Sequence, residues 1–103
     1  MRILVMLNPT NKHGTKSAYT AFRKFLLSDG YILFGPELYM RVVTDRKSAE
    51  KHIRRMEGIH PLTGSIRVLK LTERQFHAMN VLTVDPDSDL QDLLAGANEI
   101  AVI

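Results

Sequence analysis

Few residues of this sequence are of a type and spacing that could do chemistry. The first ten, MRILVMLNPT, hold five consecutive apolar residues from Ile3 to Leu7, then Asn8 and Pro9. A run of that kind, closed by a polar residue and a proline, predicts a strand buried on both faces that delivers Asn8 to a sheet edge. The remaining candidates are cations. Lys47, Lys51, Arg54 and Arg55 recur at i, i+4, i+7 and i+8, which gathers a basic ridge on the outward face of a helix. That ridge is either a solvated face, with Glu50 paired to Arg46 and Arg54, or a row of phosphate contacts. Tyr39 and Arg41 fall on one strand face, where a core-edge tyrosine beside a snorkelling arginine is the ordinary account and base stacking the alternative. The histidines at 13, 52, 60 and 77 are scattered over loops and helices and read as surface residues, without the spacing of a ligand set. No Gly-rich phosphate loop, His-x-x-x-His pair, serine elbow or paired-carboxylate motif occurs, so the residues nominate no firm catalytic group.

The formal charge of +3 conceals a split. Residues 1–84 hold all 14 Lys and Arg against six acids, a net of +8, whereas residues 85–103 hold five acids and no base, a net of −5. A basic body points to a polyanion partner, and the acidic tail must dock elsewhere or stand apart. At 103 residues the chain is expected to make one domain with one core, over 1–84, followed by a tail over 85–103. No apolar run reaches the roughly 18 residues of a membrane span, so no membrane role is expected. MRILVML is too short and too abruptly polar afterwards for a signal peptide, and the absence of cysteine makes a cytoplasmic setting the default.

The elements that must position these residues follow from periodicity and capping. After the first strand, a polar loop leads to a helix over about Lys16 to Ser28, capped by Thr15 or Ser17 and ended by Asp29 and Gly30. Its apolar stripe is Ala18, Phe22, Phe25 and Leu26. From Tyr31 the period changes to two. YILF and Leu38–Val43 read as a hairpin-like strand pair about GPE, and a second helix runs from Asp45 to Glu57 with Ala49, Ile53 and Met56 inward. SIRVLKL is the fourth strand, Thr72 caps one helical turn, AMNVLTV resembles a fifth strand, and EIAVI ends the chain as an apolar strand at 99–103.

The order βαββαβ predicts an α+β, ferredoxin-like fold: an antiparallel sheet with both helices on one face and extra C-terminal strands. The first strand lacks the polar alternation of a sheet with one wet face, so its second face needs a cover, and a twin subunit is the economical one. The terminal strand likewise needs a sheet edge, in its own subunit or the twin.

Several segments together resemble one family, the small CRISPR-associated Cas-two proteins, partners of the CRISPR integrase. They are MRILVM with its nearby proline, AYTAFRKFLLSDGYIL, ELYMR, DRKSAEKHIRR, SIRVLKLTERQFHAM and NEIAVI, the last similar to type II members. The resemblance implies a homodimer with facing sheets whose C-terminal strands cross to the partner. It also implies a role in spacer acquisition, as an adaptor that binds double-stranded DNA and bridges integrase dimers. Lys12, Lys16, Arg23, Lys24, Lys47, Lys51 and Arg55 would then contact phosphates, and the tail residues Glu99, Ile100, Val102 and Ile103 would dock the integrase. Many members of that family are described as magnesium-dependent endonucleases of RNA or double-stranded DNA, with an Asp at the end of strand one holding the metal. Asn8 stands at that position here. A carboxamide offers a neutral oxygen where a hard cation favours an anionic one, so the swap removes two formal charges from a symmetric site. An architectural role survives the change; nuclease activity is the alternative, and a toxin-like ribonuclease on the same fold is a third possibility.

Overall fold

The computed structural model describes residues 1–11 and 14–83. Lys12, His13, the boundary expected at 84/85 and the terminal strand 99–103 lie outside them. The chain divides into two compact units, Met1–Lys70 and Leu71–Ile103.

In the first unit, β1 (Arg2–Asn8) is followed by α1 (Thr15–Ser28), β2 (Ile32–Gly35), β3 (Leu38–Val42), α2 (Arg46–Glu57) and all but the last residue of β4 (Ser65–Leu71). The strands make one sheet in the order β2-β3-β1-β4, with β1 and β2 each antiparallel to β3, so the central pair is the first and third strand. That is the ferredoxin-like arrangement expected from the element order. Its register pairs Leu4 with Met40 and Met6 with Leu38. Because side chains alternate along a strand, Ile3, Val5 and Leu7 face the helices, while Arg2, Leu4 and Met6 share the opposite face with Leu38, Met40, Val42 and Ile32.

The core joins Ile3, Val5 and Leu7 to Tyr19, Phe22 and Leu26 of α1 and to Ala49 and Met56 of α2. The apolar stripe of α1 is rotated from the one expected. Ala18 is exposed, and Tyr19 is buried together with Thr15, Phe22 and Leu26. A tyrosine ring supplies more apolar surface than a methyl group, and its hydroxyl finds an acceptor inside. Neither Thr15 nor Ser17 caps α1. The cap is Gly14 in the left-handed region, and Thr15 turns inward to another hydroxyl. The expected end of α1 is present: Asp29 is the cap and Gly30 has φ 90°, a conformation that a side chain would resist. A Cβ there would also strike the Arg41 guanidinium.

Asp45 caps α2 through Ser48 N–H at 2.8 Å. His52, expected on the surface, is buried with Ala49 and Met56, because three and four residues along a helix return to the same side. In the second unit, Thr72 and Gln75 form a capping box for α3 (Glu73–His77). The described part of the fifth strand, residues 78–83, is not a strand. Ala78 and Met79 are consumed in closing α3 through bonds to Arg74 and Phe76 carbonyls, leaving too short a remainder.

Candidate nucleic-acid interface

Three segments distant in sequence meet at the carboxyl end of β1. The strand ends on exposed Asn8, the first turns of α1 bring Thr15 and Tyr19, and the loop before β4 brings Thr63 and Gly64. The Tyr19 hydroxyl donates to the Thr63 carbonyl at 2.8 Å, and the Thr15 and Thr63 hydroxyls lie 2.8 Å apart. Gly64, at φ 73°, closes the junction. A Cβ on it would come within 2.6 Å of both the Asn8 carbonyl and the Tyr19 hydroxyl, so only glycine fits. Burial, with the nearby Glu37 carboxylate, pushes the Tyr19 phenol above its ordinary pKa, and Arg23 opposes the shift.

Asn8 offers a metal one neutral amide oxygen. Among the described residues no group of three or more His, Asp or Glu could hold an ion, so the donor set within one chain does not fit magnesium, which favours anionic oxygens.

Beside this junction is a shallow groove of about 350 Å³ lined by Pro9, Thr10, Asn11, Lys16, Tyr19 and Arg23. Arg23 lies over the Tyr19 ring, 5.9 Å from its centroid. Its Nε and Nη2 donate to the two carboxylate oxygens of Glu37 at 2.9 and 2.6 Å. That bidentate bond, charge-assisted on both sides, raises the guanidinium pKa further. Lys16, Thr20 and Lys24 stand four residues apart on the outer face of α1, all exposed.

On α2, Lys47, Lys51 and Arg54 are exposed as the ridge predicted. Glu50 lies 3.8 Å from Lys70 of β4. Arg55 is drawn to Asp29 at 2.6 Å, and Asp29 uses its other oxygen for His52 Nδ1 at 3.0 Å. Nearby, Arg41 Nη1 donates to the Asp29 carbonyl, and Tyr31 is buried with its pKa pushed up to about 12, by burial first and then by the Asp29 charge. Tyr39 is a core residue, as the ordinary account expected, whereas Arg41 does not snorkel to solvent but turns to the Asp29 carbonyl with its Nε buried.

Of the predicted contact residues, then, Lys16, Lys24, Lys47 and Lys51 are exposed cations, whereas Arg23 and Arg55 each hold a carboxylate. Lys12, Glu99, Ile100, Val102 and Ile103 lie outside the described residues. Sequence reasoning missed Glu37, Thr63, Gly64 and the Asp29–His52 pair. The spacing of His52 from Ala49 and Met56 carried a signal; Glu37, inside a turn read only as a connection, carried none.

No family model matches the chain. Among curated proteins it is 41% identical over 83 residues to the CRISPR-associated endoribonuclease Cas2 of Acidovorax ebreus (strain TPSY), covering 80% of this chain and 81% of that one. It is 33% identical over 91 residues to the CRISPR-associated endoribonuclease Cas2 of Streptococcus mutans serotype c (strain ATCC 700610 / UA159), covering 87% and 84%. To the protein of the same name from Ligilactobacillus salivarius (strain UCC118) it is 34% identical over 83 residues, covering 80% and 82%.

Proposed function

The chain belongs to the Cas2 family of CRISPR-associated proteins, and from that premise we propose that it acts in the cytoplasm as a dimeric adaptor for double-stranded DNA in spacer acquisition. The observation that carries the reading is the set of exposed cations on two helices, Lys16 and Lys24 on α1 and Lys47 and Lys51 on α2, of which Lys16 lines the groove at the end of β1. Lysines on helix surfaces meet backbone phosphates as point charges and read no sequence. Binding then proceeds by release of counterions, and affinity falls log-linearly with salt.

Support for the homodimer comes from the sheet face turned away from the helices, where Met6, Ile32, Val42 and Leu69 remain exposed in a single chain. They stand around Leu4 and Met40, which are already buried, so the exposed apolar surface is a rim on this face, and a second copy would cover it symmetrically. The CRISPR integrase is the proposed partner of the tail residues Glu99, Ile100, Val102 and Ile103. Among the described residues, no helix is long and apolar enough to cross a membrane.

A second reading is favoured by the name of the relatives, endoribonuclease: a magnesium-dependent endonuclease of RNA or double-stranded DNA. Asn8 argues against it by donor chemistry. The two readings separate in one experiment. Purified protein and Asn8→Asp are incubated with duplex DNA and with RNA, with magnesium and with chelator, and binding is titrated in parallel against salt. The adaptor reading expects steep salt dependence, little sequence preference and no cleavage by the native chain. Chelator-sensitive cleavage by the native chain would overturn it in favour of the nuclease.

A further inference from the structure

We propose that the groove at the end of β1 binds a backbone phosphodiester and that Glu37 is the positioning residue that presents Arg23 to it. The inference rests on the nucleic-acid reading above and deepens it. Glu37 is the one non-glycine residue with positive φ among the described residues, at 56°. A left-handed backbone is easy for glycine and tolerable for asparagine but strained for glutamate, so the glutamate side chain is present at an energetic disadvantage. Strain of that kind gathers where geometry serves a site. The backbone of Glu37 is pinned as well, since its carbonyl accepts the Leu7 N–H at 2.9 Å, one residue before Asn8.

Its side chain restrains a long, rotatable cation. A guanidinium has five N–H donors in a rigid fork. The clasp takes the Nε and Nη2 edge, and three N–H groups, two on Nη1 and one on Nη2, are left to form the terminal edge. The Tyr19 ring restrains one face of the guanidinium, and Tyr19 is itself tied to Thr63. Arg23 is therefore held on one edge and one face while it lines the groove. Lys16, seven residues earlier on α1, lines the same groove and brings a second positive charge, and Asn11 brings an amide donor. Two cations and hydrogen-bond donors around an open groove fit a phosphodiester, and holding the guanidinium in advance reduces the ordering cost of binding.

The competing account of Glu37 is that it neutralises Arg23 and opposes an anion. The two accounts differ in sign. Glu37→Gln removes a negative charge, so electrostatics alone would tighten binding to any polyanion. Positioning requires that it weaken binding, by about threefold, because the clasp becomes a weaker neutral hydrogen bond. Arg23→Ala should weaken binding about tenfold and make the salt slope shallower by about one. In the Arg23→Ala background, Glu37→Gln should weaken binding no further, since its effect passes through Arg23. Glu37→Gly fits the left-handed backbone, keeps the fold and should weaken binding at least as much as Glu37→Gln.

The measurement is a salt titration of binding by the full chain to a mixed-sequence DNA duplex and, separately, to single-stranded RNA, which share the phosphodiester. A loss in either titration supports the groove and names its source. If Glu37→Gln binds as well as the native chain or more tightly, the positioning role is refuted. If the native chain binds with the expected salt slope and Arg23→Ala is unchanged, the groove is refuted and the nucleic-acid reading stands. Salt-independent binding, or none, overturns both.

Discussion

Asp29→Ala should lower the melting temperature by about 10 °C. Asp29 caps α1, and its side chain, 13% exposed, ties that helix to α2 by accepting from His52 Nδ1 at 3.0 Å and Arg55 Nη1 at 2.6 Å. The His52 side chain is 9% exposed, so removal of the carboxylate leaves its Nδ1 with only a long contact to Arg55 Nη1 at 3.4 Å, at a cost of about 1–3 kcal/mol. The Arg55 side chain is 44% exposed, and losing its pair costs only about 0.2–1 kcal/mol. Against these stands a relief of about 0.3–1 kcal/mol, because a carboxylate at the C-terminal end of a helix opposes the helix dipole. The balance is a loss of about 2 kcal/mol. For a domain of this length, unfolding entropy converts each kcal/mol into about 5 °C. Thermal unfolding followed by circular dichroism at one fixed protein concentration measures the shift. A control separates the buried bond from general damage: His52→Leu in the Asp29→Ala background removes the poorly paired nitrogen and should recover much of the loss. A shift of Asp29→Ala below about 3 °C, or no recovery in the double variant, would refute the assignment of the energy to His52.

Tyr31 makes stability depend on alkaline pH. Its folded pKa is raised to about 12, so the neutral phenol is favoured in the native state; the contribution is intact below pH 10 and is lost as pH rises to 12. Tyr31→Phe should flatten that fall in melting temperature, and an unchanged slope between pH 10 and 12 would count against it. Gly64→Ala combines a strained backbone with a collision against Asn8 and Tyr19 and should destabilise by more than about 1 kcal/mol, read from a urea midpoint. Tyr19→Phe deletes the donor to the Thr63 carbonyl and should cost about 1 kcal/mol by the same measure.

Several local rules carry through, although the hydroxyl cap expected for α1 and the described part of the fifth strand do not. SIRVLKL is β4 with the expected limits, Asp45 and Thr72 cap the helices that follow them, and Gly30 takes the left-handed conformation after α1. The errors lie where two residues competed for one place. Helical periodicity admits either Ala18 or Tyr19 at the inward position of α1, and the choice is decided by an acceptor on Thr63, 44 residues away. His52 satisfied the inward spacing of α2, but residue type argued for the surface, and only Asp29 at the end of another helix makes its burial tolerable. The cations of the candidate interface were legible as types and faces. Which of them are already engaged was not, because Glu37 and Asp29 reach Arg23 and Arg55 through the tertiary fold.

The junction at the end of β1 also sets when the interface comes into being. Its two hydroxyl contacts close loops of 44 and 48 residues, and the ends of such loops meet only after the intervening strands and α2 have been laid down. Contacts of high sequence separation are slow to form, since their closure entropy must be met before they return any energy. The groove's own lining lies within residues 9–23, but Thr63 and Glu37, which hold Tyr19 and Arg23 in place, arrive only with the later elements, so a partly folded chain with α1 and β1 formed has the lining without its restraints. In native-state hydrogen exchange, the amide of buried Tyr19 in α1 should open with the whole unit, so nucleic acid that engages the restrained groove selects fully folded protein.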